Sequence, residues 1–160
     1  MRFFLLDKIT AYVPGERAVG RKAVTLTDEI LHDHFPDLPV YPGTLLVEGA
    51  AQLAGFLVEA SRAAKAEPIL RAVLGQIDAA KFYQPLHPGD VAEIEVVLEQ
   101  DLPFAARVRA KVRSVETGEK IAVMTLTFAL RPVHVPRIDE QRRSLYAIWT
   151  RDLVPKPVLP

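Results

Sequence analysis

Two neighbouring stretches of the chain alternate strictly between apolar and charged positions. In Val91–Glu99, Ala92, Ile94, Val96 and Leu98 share one side, with Glu93, Glu95 and Glu99 on the other. In Phe104–Val115, Phe104, Ala106, Val108, Ala110 and Val112 share one side, with Arg107, Arg109, Lys111 and Arg113 opposite. Period two over both segments predicts an antiparallel pair with one wet face, turning through Asp101-Leu102-Pro103. The acidic outer side of one strand then lies beside the basic outer side of the next. Such solvated cross-strand pairs help set register by about 0.2–1 kcal/mol each. A further strand is predicted over Lys120–Leu130, after the Thr117-Gly118 turn. It is apolar on both sides, Ile121 and Val123 against Ala122, Met124, Leu126 and Phe128. Both sides must therefore be covered, one by a helix and the other by a second subunit or the tail. Arg71–Asp78 and Ala18–Thr27 are the remaining strand signals, the latter following a turn at Pro14-Gly15.

The longest apolar run, Gly43 to about Glu59, is rich in Ala and Leu and enters through Pro42-Gly43, which predicts a helix. Its apolar residues occupy nearly every face, so the rest of the chain must wrap it. The expected architecture is α+β, an antiparallel β-sheet wrapped around one long buried central helix over residues 1–131. Residues 132–160 form a Pro-rich C-terminal extension in which Pro132, Pro136, Pro155, Pro157 and Pro160 bracket one short helix near Asp139–Thr150. Asp139 and Glu140 suit its start electrostatically. Leu145, Ile148 and Trp149 give it an apolar edge, read as docking on the body, with partner binding as the rival.

At 160 residues the chain is one domain's length. Lys plus Arg and Asp plus Glu number 20 each, which argues by bulk charge against a nucleic-acid partner. There is no Cys, which excludes disulfides, Cys-ligated zinc and thiol nucleophiles. Phe3-Phe4-Leu5-Leu6 is shorter than the roughly 7–15 apolar residues of a signal peptide. No segment reaches the ~18 apolar residues of a membrane span, so a cytoplasmic protein with no membrane partner is expected. No Ser sits in a G-x-S-x-G elbow, and no Gly-rich phosphate loop is present.

Candidate chemistry concentrates between His32 and Gln52. Pro36, Pro39 and Pro42 stiffen the loop that begins at His34, and a stiff loop can hold an imidazole for general-base work. Glu48 lies one and a half turns into a helix that should otherwise be dry, where a carboxyl must be protonated or paired. Gln52 follows at i+4 and shares its face. Gly43 admits a ligand close to the backbone, and the first helix N–H groups there can polarise a carbonyl. Each residue also has a plainer reading. His34 could be an ordinary loop histidine, Glu48 a hydrogen-bonded structural acid and Gln52 merely its partner. His32, Asp33 and His34 resemble a metal pair that lacks a third ligand, and His87 reads as a turn residue.

Together these residues resemble the FabZ-type 3-hydroxyacyl-acyl-carrier-protein dehydratases, a hot-dog fold family. The pattern reads His34-Phe35-Pro36, Pro39-Val40-Tyr41-Pro42-Gly43, Leu45-Leu46-Val47-Glu48 and Gln52, with Glu48 fourteen residues after His34. Phe4-Leu5-Leu6-Asp7, Ile77-Asp78-Ala79-Ala80-Lys81-Phe82 and Pro85-Leu86-His87-Pro88-Gly89-Asp90 resemble its flanking segments. The resemblance implies a homodimer, or a trimer of such dimers, whose sites draw His34 from one chain and Glu48 from the other. His34 would take the α-proton of a 3-hydroxyacyl thioester, carried by acyl carrier protein or coenzyme A. Glu48 would protonate or hydrogen-bond the departing hydroxyl. Gly43 and Thr44 N–H groups would polarise the thioester carbonyl, and Phe35, Gln52 and Phe82 would contact substrate. No metal or other cofactor is implied. An acyl thioesterase and a non-catalytic acyl-binding or heterodimer subunit are the alternatives within the fold. Asp33 and Asp37 stand where the family often has Gly, and Leu38 and Gln84 where it often has Arg. Lys81, Arg62 and Arg71 are left as candidate cations for carrier docking.

Overall fold

The computed structural model describes residues 3–133 and 135–160. His134, to which the sequence assigns no role, lies outside them, as do Met1 and Arg2. The strands are β1 (Lys8–Val13), β2 (Arg17–Ala23), β3 (Arg71–Phe82), β4 (Val91–Leu102), β5 (Ala105–Ser114) and β6 (Lys120–Arg131). The helices are α1 (Gly43–Ala64) and α2 (Pro136–Trp149), with one 3-10 turn at Glu29–His32. All six strands form one antiparallel sheet in the order β1-β2-β4-β5-β6-β3. The sheet curls around α1, in which every residue from Leu53 to Arg62 is buried. No helix among the described residues is long and apolar enough to cross a membrane.

β4 and β5 keep the expected alternation: Ala92, Ile94, Val96, Ala106, Val108, Ala110 and Val112 are all buried against α1. Phe104 departs from it. It belongs to the turn rather than the strand and is 66% exposed. The charged outer faces also pair differently from expectation. Glu93 and Glu95 meet Arg21 and Arg17 of β2, at 3.1 and 3.7 Å, while Glu99 meets Arg107 and Arg109 of β5. The acidic β4 is thus flanked by basic neighbours on both sides, in exposed pairs worth about 0–1 kcal/mol each.

β1 was not among the expected strands. A bulge between Ile9 and Ala11 breaks its alternation, and only Ile9 is fully buried. β6 lies between β5 and the edge strand β3, and Ala122, Met124, Leu126, Phe128 and Leu130 pack inward. Its other side is less apolar than expected, because Thr125 and Thr127 interrupt it. The uncovered apolar residues sit instead on β3, the sheet edge, where Val73, Ile77 and Phe82 are each about half exposed.

α2 docks on the body through Tyr146 and Trp149, both 3% exposed. Ile148, expected on the apolar edge, faces outward, and Tyr146 takes the inward place. Beneath α2 lies the fully buried Glu59 carboxylate. It accepts hydrogen bonds from Arg71 Nη1 at 2.5 Å, Arg142 Nη1 at 2.6 Å and the Tyr146 hydroxyl at 3.0 Å. Arg71 also donates to Asp139 of α2. Trp149 Nε1 donates to the Leu6 carbonyl at 3.0 Å, so the helix grips the N-terminal segment as well.

Burial pushes the Tyr146 hydroxyl above its ordinary range, and the Glu59 charge adds to the push. Burial raises Tyr41 and Tyr12 likewise. A raised native value means that the folded chain keeps its proton while the unfolded chain loses it. This contribution is complete below about pH 10 and disappears above it, at up to about 1.4 kcal/mol per pH unit per tyrosine. Urea unfolding across an alkaline series should show stability falling above about pH 10, and less steeply in Tyr146→Phe. An unchanged slope in that variant would remove Tyr146 from the explanation.

Candidate active site

The loop after the 3-10 turn is closed by its own backbone. Phe35 and Leu38 exchange N–H···O bonds at 3.0 Å, and the Val40 N–H donates to the His34 carbonyl at 2.8 Å. Asp37 turns the loop with φ 65°, a left-handed conformation that Asp tolerates better than most residues. This accounts for an Asp standing where the family often uses Gly. The loop is tied to the body by the Tyr41 N–H, which donates to the Leu86 carbonyl at 2.8 Å.

These contacts fix His34. Its Nδ1 lies 2.7 Å from the Val40 carbonyl, which can only accept, so in the neutral ring Nδ1 carries the hydrogen. Nε2 is left with its lone pair, the state a general base needs. Phe35 stacks on the imidazole with ring centres 4.4 Å apart. His34, Gly43, Thr44 and Phe82 line one open cavity of about 470 Å³, together with Tyr83 and Leu86. No protein acceptor takes the Gly43 or Thr44 N–H among the described residues, as expected at a helix start. The Phe82 ring lies so close over Gly43 that an added Cβ would come within 2.9 Å of it. Any larger residue there would have to push the half-exposed Phe82 ring aside.

Glu48 occupies a different place. It is half-buried rather than dry, and Gln52 Nε2 donates to its Oε1 at 3.0 Å. The same amide donates to the Phe3 carbonyl and accepts from the Leu5 N–H, both at 3.0 Å. Gln52 therefore spends its bonds holding the acid and the N-terminal segment. Glu48 and Gln52 line a second cavity, of about 320 Å³, whose other walls include Phe3, Leu74, Leu145 and Trp149. Within one chain, then, the structure groups His34 with Gly43, Thr44 and Phe82, and Glu48 with Gln52, and gives the two groups separate cavities. Phe35 lies outside both linings and is 55% exposed. Around His32 and Asp33 no three-ligand cluster forms among the described residues.

Two of the expected docking cations are engaged inside the fold. Arg62 pairs with Asp101 at 3.0 Å and Glu67 at 3.6 Å, and Arg71 belongs to the Glu59 cluster. Neither is free for an acidic partner; Lys81 remains exposed on β3. Sequence reasoning missed Glu59, Arg142 and Tyr146 because the residues that meet it lie far off along the chain. The one signal available was an acid inside an otherwise apolar helical run.

A model of the FabA-like domain matches residues 1–124. A 3-hydroxyacyl-[acyl-carrier-protein] dehydratase FabZ of Enterococcus faecalis is 36% identical over 130 residues, covering 80% of this chain and 87% of the relative. Its counterpart in Methylobacterium nodulans is 38% identical over 128 residues, covering 78% and 80%. Among solved structures, the dehydratase heterocomplex ApeI:P of Xenorhabdus doucetiae superposes with a TM-score of 0.68 at 17% identity, over 87% of this chain and 90% of that one. A Streptococcus mutans protein bound to acetyl CoA gives 0.64 at 18% identity, over 84% and 96%. At those identities the structures establish the hot-dog fold, and the sequence relatives establish the family. The chain belongs to the FabA-like family, among its FabZ-type 3-hydroxyacyl-[acyl-carrier-protein] dehydratases.

Proposed function

We propose that this enzyme dehydrates a 3-hydroxyacyl thioester on acyl carrier protein to the trans-2-enoyl thioester, in fatty-acid biosynthesis, with His34 and Glu48 as its reacting groups. The observation that carries the assignment is the His34 Nδ1 bond to Val40, which turns a lone pair on Nε2 toward use as a base. In the reaction His34 Nε2 takes the α-proton, and the developing enolate oxygen is held by the Gly43 and Thr44 N–H groups. The C3–O bond then breaks, the new double bond forms, and the acid form of Glu48 gives its proton to the departing hydroxyl, which leaves as water. The proton on His34 afterwards returns through solvent to Glu48. Gln52 is a positioning residue that fixes the carboxyl. Phe82 packs the mouth over Gly43.

The site is completed by a second copy of the chain, whose Glu48 meets His34 of the first. The separate cavities of the two groups within one chain and the bare apolar edge at β3 support this reading. A 3-hydroxyacyl carrier-protein thioester should yield enoyl product, followed by absorbance and mass. His34→Ala and Glu48→Gln should each lower kcat by about 10²–10⁴-fold. Free thiol released without enoyl product would establish a thioesterase instead. Full activity in both variants would refute the assignment.

A further inference from the structure

We propose that α2 forms the outer wall of the pocket that receives the acyl chain, so that the C-terminal extension sets which acyl groups the enzyme accepts. This rests on the dehydratase reading for the identity of the occupant. It concerns residues beyond 124, where the match to the family model ends.

The floor of the pocket is one face of α1. Glu48, Gln52, Gly55 and Glu59 fall at i, i+4, i+7 and i+11, a single helical stripe. At 1.5 Å per residue the stripe runs about 16 Å from the reacting carboxyl to the buried one. Glu48, Gln52 and Gly55 line the cavity of about 320 Å³, and its roof is Ile138, Gln141, Arg142, Leu145, Tyr146 and Trp149 of α2. That volume lies at the lower end of the roughly 300–1,000 Å³ typical of small-molecule pockets.

The occupant is read from the position of Glu48 and from the apolar part of the lining. At the mouth stands Glu48, which the reaction places beside the hydroxyl-bearing carbon. Glu59 itself lies behind the lining, and the Arg142 and Tyr146 groups that do line the space are bonded to its carboxylate. The Trp149 N–H is likewise spent on Leu6. Elsewhere the lining is mixed: Gln141 and Arg142 stand on the α2 side, while Phe4, Ala72, Leu74, Phe128 and Leu145 form an apolar strip along which a hydrocarbon tail fits. Gly55 keeps the middle of the floor open. A Cβ there would meet only Ala72, at 4.0 Å. A second protomer therefore supplies His34 at the mouth, while α2 of the Glu48 protomer closes over the tail.

Two variants alter the space in opposite senses. Gly55→Leu fills the floor and Leu145→Ala opens the roof. The readout is the ratio of kcat/KM for 3-hydroxydecanoyl to that for 3-hydroxybutyryl coenzyme A. Gly55→Leu should lower it by about tenfold or more, and Leu145→Ala should raise it. Trp149 is the only tryptophan in the chain and lines the cavity, so its fluorescence reports occupancy without turnover. Decanoyl coenzyme A, which has no hydroxyl to lose, should shift the emission where acetyl coenzyme A does not, and Gly55→Leu should abolish the shift. An active wild type whose chain-length ratio stays within about twofold in both variants, with Trp149 unmoved by decanoyl coenzyme A, would overturn the proposal. A wild type inert on every 3-hydroxyacyl thioester, yet showing the decanoyl shift, would overturn the dehydratase reading while upholding the wall.

Discussion

Equal mixing of His34→Ala and Glu48→Ala protomers should restore about a quarter of wild-type turnover, from two preparations that should each be nearly inactive. In the proposed two-fold dimer there are two sites, and each would draw its imidazole from one chain and its carboxyl from the other. In a mixed dimer one site loses both groups and the other keeps both. Random exchange makes about half of the dimers mixed, and each then has half its sites intact. Against parents reduced about 10²–10⁴-fold, a signal of this size is unmistakable. The check is activity after the two proteins are unfolded together and refolded, with each parent refolded alone as control. A mixture no better than the average of its parents would show that both groups of a site come from one chain.

The other large effect concerns stability. Glu59→Gln should lower the free energy of unfolding by about 3 kcal/mol, because it removes the carboxylate that pairs with Arg142 and one of the two that pair with buried Arg71, leaving Asp139. Truncating one member is far costlier than the pair is worth, since the remaining cations stay desolvated. Guanidinium unfolding measures the loss. Limited proteolysis should show cleavage in α2 before the sheet, since α2 loses Arg142 and Tyr146 as anchors to α1. A midpoint unmoved by the substitution would mean that the cluster contributes nothing.

Strict alternation made β4 and β5 legible residue by residue, because a strand buried on one side writes its period directly into the sequence. α1 was equally plain, since a helix enclosed by a sheet is apolar over most of its surface and Glu48, Gln52 and Glu59 interrupt it along one stripe. β1 was hidden by its bulge, which puts Thr10 out of step with its neighbours. The His34 loop could be read only through its motif. Nothing in Val40 itself announces that its carbonyl will hold an imidazole, because that bond depends on the loop folding back on itself. Glu59 shows the limit most clearly. Its partners Arg71, Arg142 and Tyr146 come from another strand and from the far helix, and chain order carries no mark of that meeting.

The two margins of the sheet carry different hazards. β1 is six residues long, bulged and charged at Lys8, all of which discourage a stray chain from adding to it. β3 is twelve residues long and has Val73 and Ile77 in the open. Substitutions that block its proper coverage should therefore not yield well-behaved single subunits. They should yield inclusion bodies and fibrils grown by strand addition, with turbidity appearing before any loss of helix signal.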